Sequence, residues 1–133
     1  MSSKSCLYRD ECGQGQVEFA LSVMTVLVVI FMTLELCSAV YTYVVLSDAA
    51  NEGVRYAIVN SSDDGTGTTA KVTTYAANSL HDMSDMTVNV AYPDGHTIPG
   101  RVQVTVSYPY LPYLSFLTAP PTMHAYAEGR MVY

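Results

Sequence analysis

Tryptophan is absent and charge is scarce. Only 14% of the 133 residues are charged, where a soluble domain carries about a quarter. Basic side chains are the scarcer, six against twelve acidic, for a formal charge of −6. No Lys/Arg cluster occurs, so the basic face that meets nucleic-acid phosphate is missing. Cys6, Cys12 and Cys37 are odd in number and widely spread, which argues against a disulfide framework. None has the C-x-x-C partner of a zinc site. The length allows one domain with an appended segment.

Apolar residues make up 50% of the chain, and they are unevenly spread. Phe19–Leu46 reads FALSVMTVLVVIFMTLELCSAVYTYVVL, 28 residues whose only charge is Glu35. At about 1.5 Å per residue, ~20 helical residues cross a hydrocarbon core of ~30 Å. A segment from about Phe19 to Val40 is long enough, and Tyr41 and Tyr43 then fall where an interfacial aromatic belt sits. Soluble core helices are seldom apolar on every face for this long. Lys4 and Arg9 precede the run, and the nearest basic residues after it are Arg55 and Lys71. Positive-inside counting thus favours an N-terminus in the cytoplasm and a C-terminal part outside it. A cleavable secretory signal is the competing reading, with Cys37-Ser38-Ala39 as an A-x-A-like site and release near Ala39. Its apolar run is longer than the usual 7–15 residues, and no net positive charge precedes it. An unprocessed single-pass anchor is the third reading.

The junction before the run is Glu11-Cys12-Gly13-Gln14-Gly15-Gln16-Val17-Glu18-Phe19-Ala20-Leu21. A glycine stands five residues ahead of a glutamate that opens a hydrophobic helix. This resembles the type IV prepilin processing motif, G-x-x-x-x-E. The resemblance implies a cut after Gly13 by a membrane prepilin peptidase, with Gln14 as the new N-terminus and Glu18 at mature position five. A carboxylate inside the apolar zone is costly, on the order of 2.5–3.5 kcal/mol at mid-helix for the comparable Asp. The new α-amino group of a neighbouring subunit would partner it, which the resemblance gives as the way subunits align. Alternatively, Glu18 rests at headgroup level and needs no partner.

The likeness extends past the cut site. GQGQVEFAL, the long apolar helix, and Leu46–Ala57, LSDAANEGVRYA, resemble the TadE-like family, small pseudopilins of the tight-adherence (Flp, type IVb) pilus machinery. The similarity covers residues 13–60 closely and the rest loosely. It implies a structural or assembly subunit in the cell inner membrane. Its partners would be membrane lipid, a prepilin peptidase, other pilins or pseudopilins and pilus assembly proteins. The layout expected is a leader over 1–13, a transmembrane helix over 14–46 and an exported α+β domain over 47–133.

Within that domain the helix is predicted to continue to about Ile58, since no proline interrupts it. The small face Ala49/Ala50/Gly53/Ala57 suits close approach of another helix, or of the chain's own domain. Asn60–Thr69 is a loop by composition. Residues 70–80 form a second short helix capped by Thr68 or Thr69, with Val72, Tyr75, Ala76 and Leu80 on one face. Alternation predicts antiparallel strands over 86–92 and 101–108, joined across the Pro93-Asp94-Gly95-His96 turn. A third spans about 122–133, with Gly129 marking a bulge or frayed end. Tyr108–Tyr113 with Leu114, Phe116 and Leu117 either forms an exposed apolar patch for a protein or membrane, or folds back over the sheet.

No catalytic constellation stands out. Asp63-Asp64-Gly65 lacks the alternating ligands and distal Glu of an EF-hand. Gly65-Thr66-Gly67 has no Gly-Lys-Ser/Thr after it, and there is no G-x-S-x-G elbow. A metal-dependent enzyme would have to draw on His81, Asp82, Asp85 or His96, an ordinary set for loops. Cys37 is read as a small buried residue. The chain is therefore expected to be no enzyme, with no cofactor, no nucleic acid and no small-molecule substrate.

Overall fold

The computed structural model describes residues 7–80, 82–113 and 121–131, with side chains from residue 13 onward. Helix α1 runs Leu7–Val59 and helix α2 Thr66–Ala77; strands β1, β2 and β3 run Thr87–Ala91, Gly100–Pro109 and Thr122–Met131. This is the expected α+β layout of a long helix, a short helix and a three-stranded antiparallel sheet. The chain divides after Cys37 into two compact units.

In the first unit, α1 is exposed around its whole circumference from Gly13 to Leu34. Large apolar side chains lie bare on every side, Phe19 at 72% and Met24 at 67% among them. In the second unit α1 changes character. Thr42, Val45, Leu46, Ala49, Ala50, Val54 and Ala57 are buried, at steps of three and four or one residue that trace a single helical face. Packed on that face are Val102, Val104 and Val106 of β2, Ala125 and Ala127 of β3, and Val72 and Ala76 of α2. Fully burying each valine contributes roughly 1.5–3 kcal/mol relative to exposure. The small face of α1 is thus covered by the chain's own domain.

The sheet order is β1-β2-β3. Val88 pairs with Val106 and Val90 with Val104, while Ala127 and Ala125 lie across from Val104 and Val106 on the other side. Valines on the central strand beside alanines on β3 leave a shallow trough in which the helix rests. Gly53 is the closest point. A Cβ there would overlap the Val72 side chain, and Val104 and Thr68 crowd the same spot. Gly129 pairs regularly with Val102, without a bulge or frayed end. Its smallness serves packing instead, because a Cβ there would overlap Val54 and lie 2.7 Å from Ile58.

Helix α2 begins at Thr66, inside the stretch read as loop. The reason lies in the two aspartates before it. Gly65 takes φ 98°, a left-handed conformation that glycine adopts without steric cost. The turn aims the first N–H groups of the helix back at Asp63. Its Oδ1 accepts from Gly67 N–H at 3.0 Å, and its Oδ2 accepts from the Thr68 N–H and hydroxyl, each at 2.8 Å. Asp64 Oδ1 accepts from Thr66 N–H at 3.1 Å. Thr68 is a buried member of the helix and not its cap. Helix α2 ends at Ala77, so Leu80 packs on the core from beyond it, and Tyr75 is 41% exposed instead of sharing the inner face.

Burial alone would raise the Asp63 carboxyl, but the hydrogen bonds from Thr68, Gly67 and Gly65 outweigh it and hold it below the ordinary value. A lowered folded value means that the charged cap stabilises the fold above the unfolded Asp value of about 3.9. That stabilisation is lost as pH falls through the lower folded value. Asp63→Ala is expected to cost about 1 kcal/mol near neutral pH. In urea unfolding at stepped pH, its deficit against wild type should vanish at strongly acid pH.

Candidate functional site on the N-terminal helix

Gly13, Gln14 and Glu18 all lie in α1, exposed and in continuous helix. A Cβ at Gly13 or Gly15 would meet nothing within 4 Å. These glycines therefore serve no packing purpose, yet each weakens a helix by about 1 kcal/mol relative to Ala. Gln14 and Glu18 are one turn apart on one side, with Gln14 Nε2 donating to Glu18 Oε1 at 3.3 Å.

Beyond Glu18 four hydroxyls of the helix are satisfied by its own backbone. Ser22, Thr25 and Thr33 donate their hydroxyls to the carbonyls of Glu18, Leu21 and Val29, at 2.9, 2.9 and 2.8 Å. Thr42 does the same to Ser38 at 3.0 Å. Such back-bonding satisfies a hydroxyl without water, which an apolar medium requires. Together with the bare valines, leucines and phenylalanines, it makes Val17–Leu34 a surface suited to hydrocarbon. Cys37 is exposed, not buried as the sequence reading had it.

The model of the TadE-like protein family matches residues 13–55. Residues 13–55 are a TadE-like segment. The resemblance read from the sequence is thereby borne out, and the match opens at Gly13 itself. No curated protein and no solved structure matches the chain. The TadE-like segment and its exposed apolar helix fit a membrane-anchored subunit related to the tight-adherence pilus. The TadE-like family is a structural pilus component and not known as a family of enzymes.

Outside the TadE-like segment Asp82, His96, Asp94 and Arg101 make local contacts. Asp82 Oδ1 accepts from the Ser84 N–H at 3.0 Å and hydroxyl at 2.7 Å. His96 Nδ1 lies 3.1 Å from the Ser61 carbonyl, its ring against Tyr92 with centroids 4.1 Å apart. Arg101 grips Asp94 through Nε at 2.9 Å and a terminal nitrogen at 3.2 Å, and that guanidinium holds the Asp94 carboxyl below its usual range. His81 lies outside the described residues. Among the described residues, no three His, Cys, Asp or Glu side chains converge on a metal-sized site. The capping role of Asp63 was missed from sequence. Its signal is an acid two residues ahead of a Gly-Thr helix start.

Proposed function

We propose that the protein is a pseudopilin-like structural and assembly subunit of a tight-adherence (type IVb) pilus or a related secretion apparatus. A prepilin peptidase removes residues 1–13 by cutting after Gly13. Helix α1 holds the subunit in the cell membrane with its N-terminus on the cytoplasmic side. The α+β domain stands outside the cytoplasm and meets other pilins, pseudopilins and assembly proteins. Glu18 aligns the helix with neighbouring helices by pairing with the amino group that the cut creates at a neighbour's Gln14. The protein performs no chemistry of its own.

One observation carries the reading. A helix apolar on all sides and bare of protein contact needs a hydrocarbon surrounding, and its residues are those of the TadE-like match. The lipid-facing part lies within the expected 14–46 segment. Side chains of α1 turn into the domain core from Thr42 onward, so the lipid-facing part runs from about Val17 to Leu36. Those 20 residues span about 30 Å at ~1.5 Å each, one hydrocarbon thickness. Glu18 then stands one residue inside the cytoplasmic boundary, where a partner matters more than in water.

N-terminal sequencing of the protein from its native membrane tests this. A start at Gln14 supports it; a start at Val40 would make the protein a released, secreted one; an uncut chain would leave an unprocessed anchor. Glu18→Ala is expected to spare cleavage and membrane insertion yet lower filament assembly several-fold. Normal piliation in that variant would remove the alignment role.

A further inference from the structure

Six of the ten large apolar side chains exposed among the described residues of the second unit, Val40, Tyr41, Tyr43, Val44, Leu111 and Tyr113, gather at one end. The contacts of two glycines give the direction of α1 across the sheet. Gly53 faces Val104, while Gly129, opposite Val102, faces Val54 and Ile58. Moving forward along α1 is therefore moving backward along β2. Tyr41 lies twelve residues before Gly53, or about 18 Å at ~1.5 Å each. On a strand rising about 3.3 Å per residue, that is five to six residues beyond Val104, at Pro109–Tyr110.

The segment after that level is exposed and apolar. Tyr108 is half-buried and Tyr110 buried, its N–H donating to the Pro121 carbonyl at 3.0 Å, so these two fold onto the domain. Leu111 and Tyr113 are 64% and 85% exposed. Leu114, Phe116 and Leu117 lie outside the described residues. At the same level α1 exposes Val40, Tyr41, Tyr43 and Val44. The outward face of the sheet is different, carrying Arg101, Gln103, Thr105, Ser107, Glu128 and Arg130. The apolar end is also where the chain enters the unit from the hydrophobic helix.

We infer that Leu111 and Tyr113, with Tyr41 and Tyr43, form a membrane-seating rim that rests in the headgroup layer of the bilayer crossed by α1. Tyrosine suits that layer because its ring is apolar and its hydroxyl stays wet. Two tyrosines on the helix and one in the segment after β2 hold the domain to the bilayer at two points. The rim takes zwitterionic lipid. Asp82 and Asp85 line a cleft of about 130 Å³ with Tyr108 and Leu111 at this end, so anionic headgroups gain no attraction there. Seating is apolar and survives high salt.

The proposal rests on the membrane-anchored reading, and one experiment separates the two. The chain has no tryptophan, so each single-Trp variant is its own reporter. The full chain carrying Leu27→Trp, Tyr113→Trp, Leu111→Trp or Tyr126→Trp is reconstituted at low density in phosphatidylcholine vesicles containing headgroup-proximal or chain-brominated lipid. Leu27→Trp should be quenched by the chain label. Tyr113→Trp and Leu111→Trp should be quenched by the headgroup-proximal label, several-fold more than Tyr126→Trp on the polar face. If Leu27→Trp is quenched and both rim reporters match Tyr126→Trp, the rim is not a lipid contact while anchoring stands, and the patch is left to a protein partner. Strong quenching at Tyr126→Trp equally overturns the rim. No quenching at Leu27→Trp refutes anchoring and the rim with it.

Discussion

Gly13→Ala is expected to abolish removal of residues 1–13 when the full chain is co-expressed with a prepilin peptidase. The mobility shift seen with the unaltered chain should disappear. Two effects combine. Alanine stabilises the helix at the scissile bond by about 1 kcal/mol, roughly a fivefold loss of the opened form. The larger effect is at the enzyme, since the prepilin motif implies a site shaped for glycine at this position. Gly15→Ala separates the two, because it shares the helix effect and not the site effect. It should slow cleavage about fivefold without stopping it. Neither change disturbs packing, as both glycines face open space. An unchanged shift in Gly13→Ala would place the cut elsewhere.

Gly53→Val is expected to do the opposite, sparing the processing site and damaging the domain. Its first carbon already overlaps Val72, which is fully buried and has nowhere to move, and Val104 closes the other side. Overpacking of this kind costs about 3 kcal/mol, and the extra methyls of valine add to what alanine would cost. For a unit of this size that is a fall of roughly 10–20 °C in melting temperature. Circular dichroism of the full chain in detergent reads it directly. Asn51→Ala, two residues away on the exposed side of α1, should leave the melting temperature nearly unchanged. Equal stability of Gly53→Val and the unaltered chain would mean that α1 does not lie on the sheet at this point.

These glycines show what a sequence reveals and what it withholds. The processing role proposed for Gly13 rests on its spacing to Glu18, a one-dimensional property. The strands were legible because Val88, Val90, Val102, Val104 and Val106 alternate with polar residues. Gly129 was misread as a bulge because its reason is Val54 and Ile58, some seventy residues earlier in the chain. The start of α2 was placed late because Thr68 and Thr69 resemble caps, while the capping group is an acid three residues ahead of the helix. The apolar run from Phe19 to Leu46 reads as one segment, yet Thr42, Val45 and Leu46 near its end are buried in the domain core. Composition cannot divide it, since valine, leucine and alanine suit both surroundings. Only the contacts of Thr42, Val45 and Leu46 mark the change.

The fate of the full-length chain in membranes washed with alkaline carbonate bears most directly on the central claim that Val17–Leu36 lies in hydrocarbon. Loosely attached proteins leave under this treatment, whereas a predominantly apolar helix of about 20 residues in the bilayer stays. The chain, cut or uncut at Gly13, is expected in the washed membrane pellet and in solution only after detergent. Recovery of the intact chain in the carbonate supernatant or the cytosol, with no detergent present, would contradict the account.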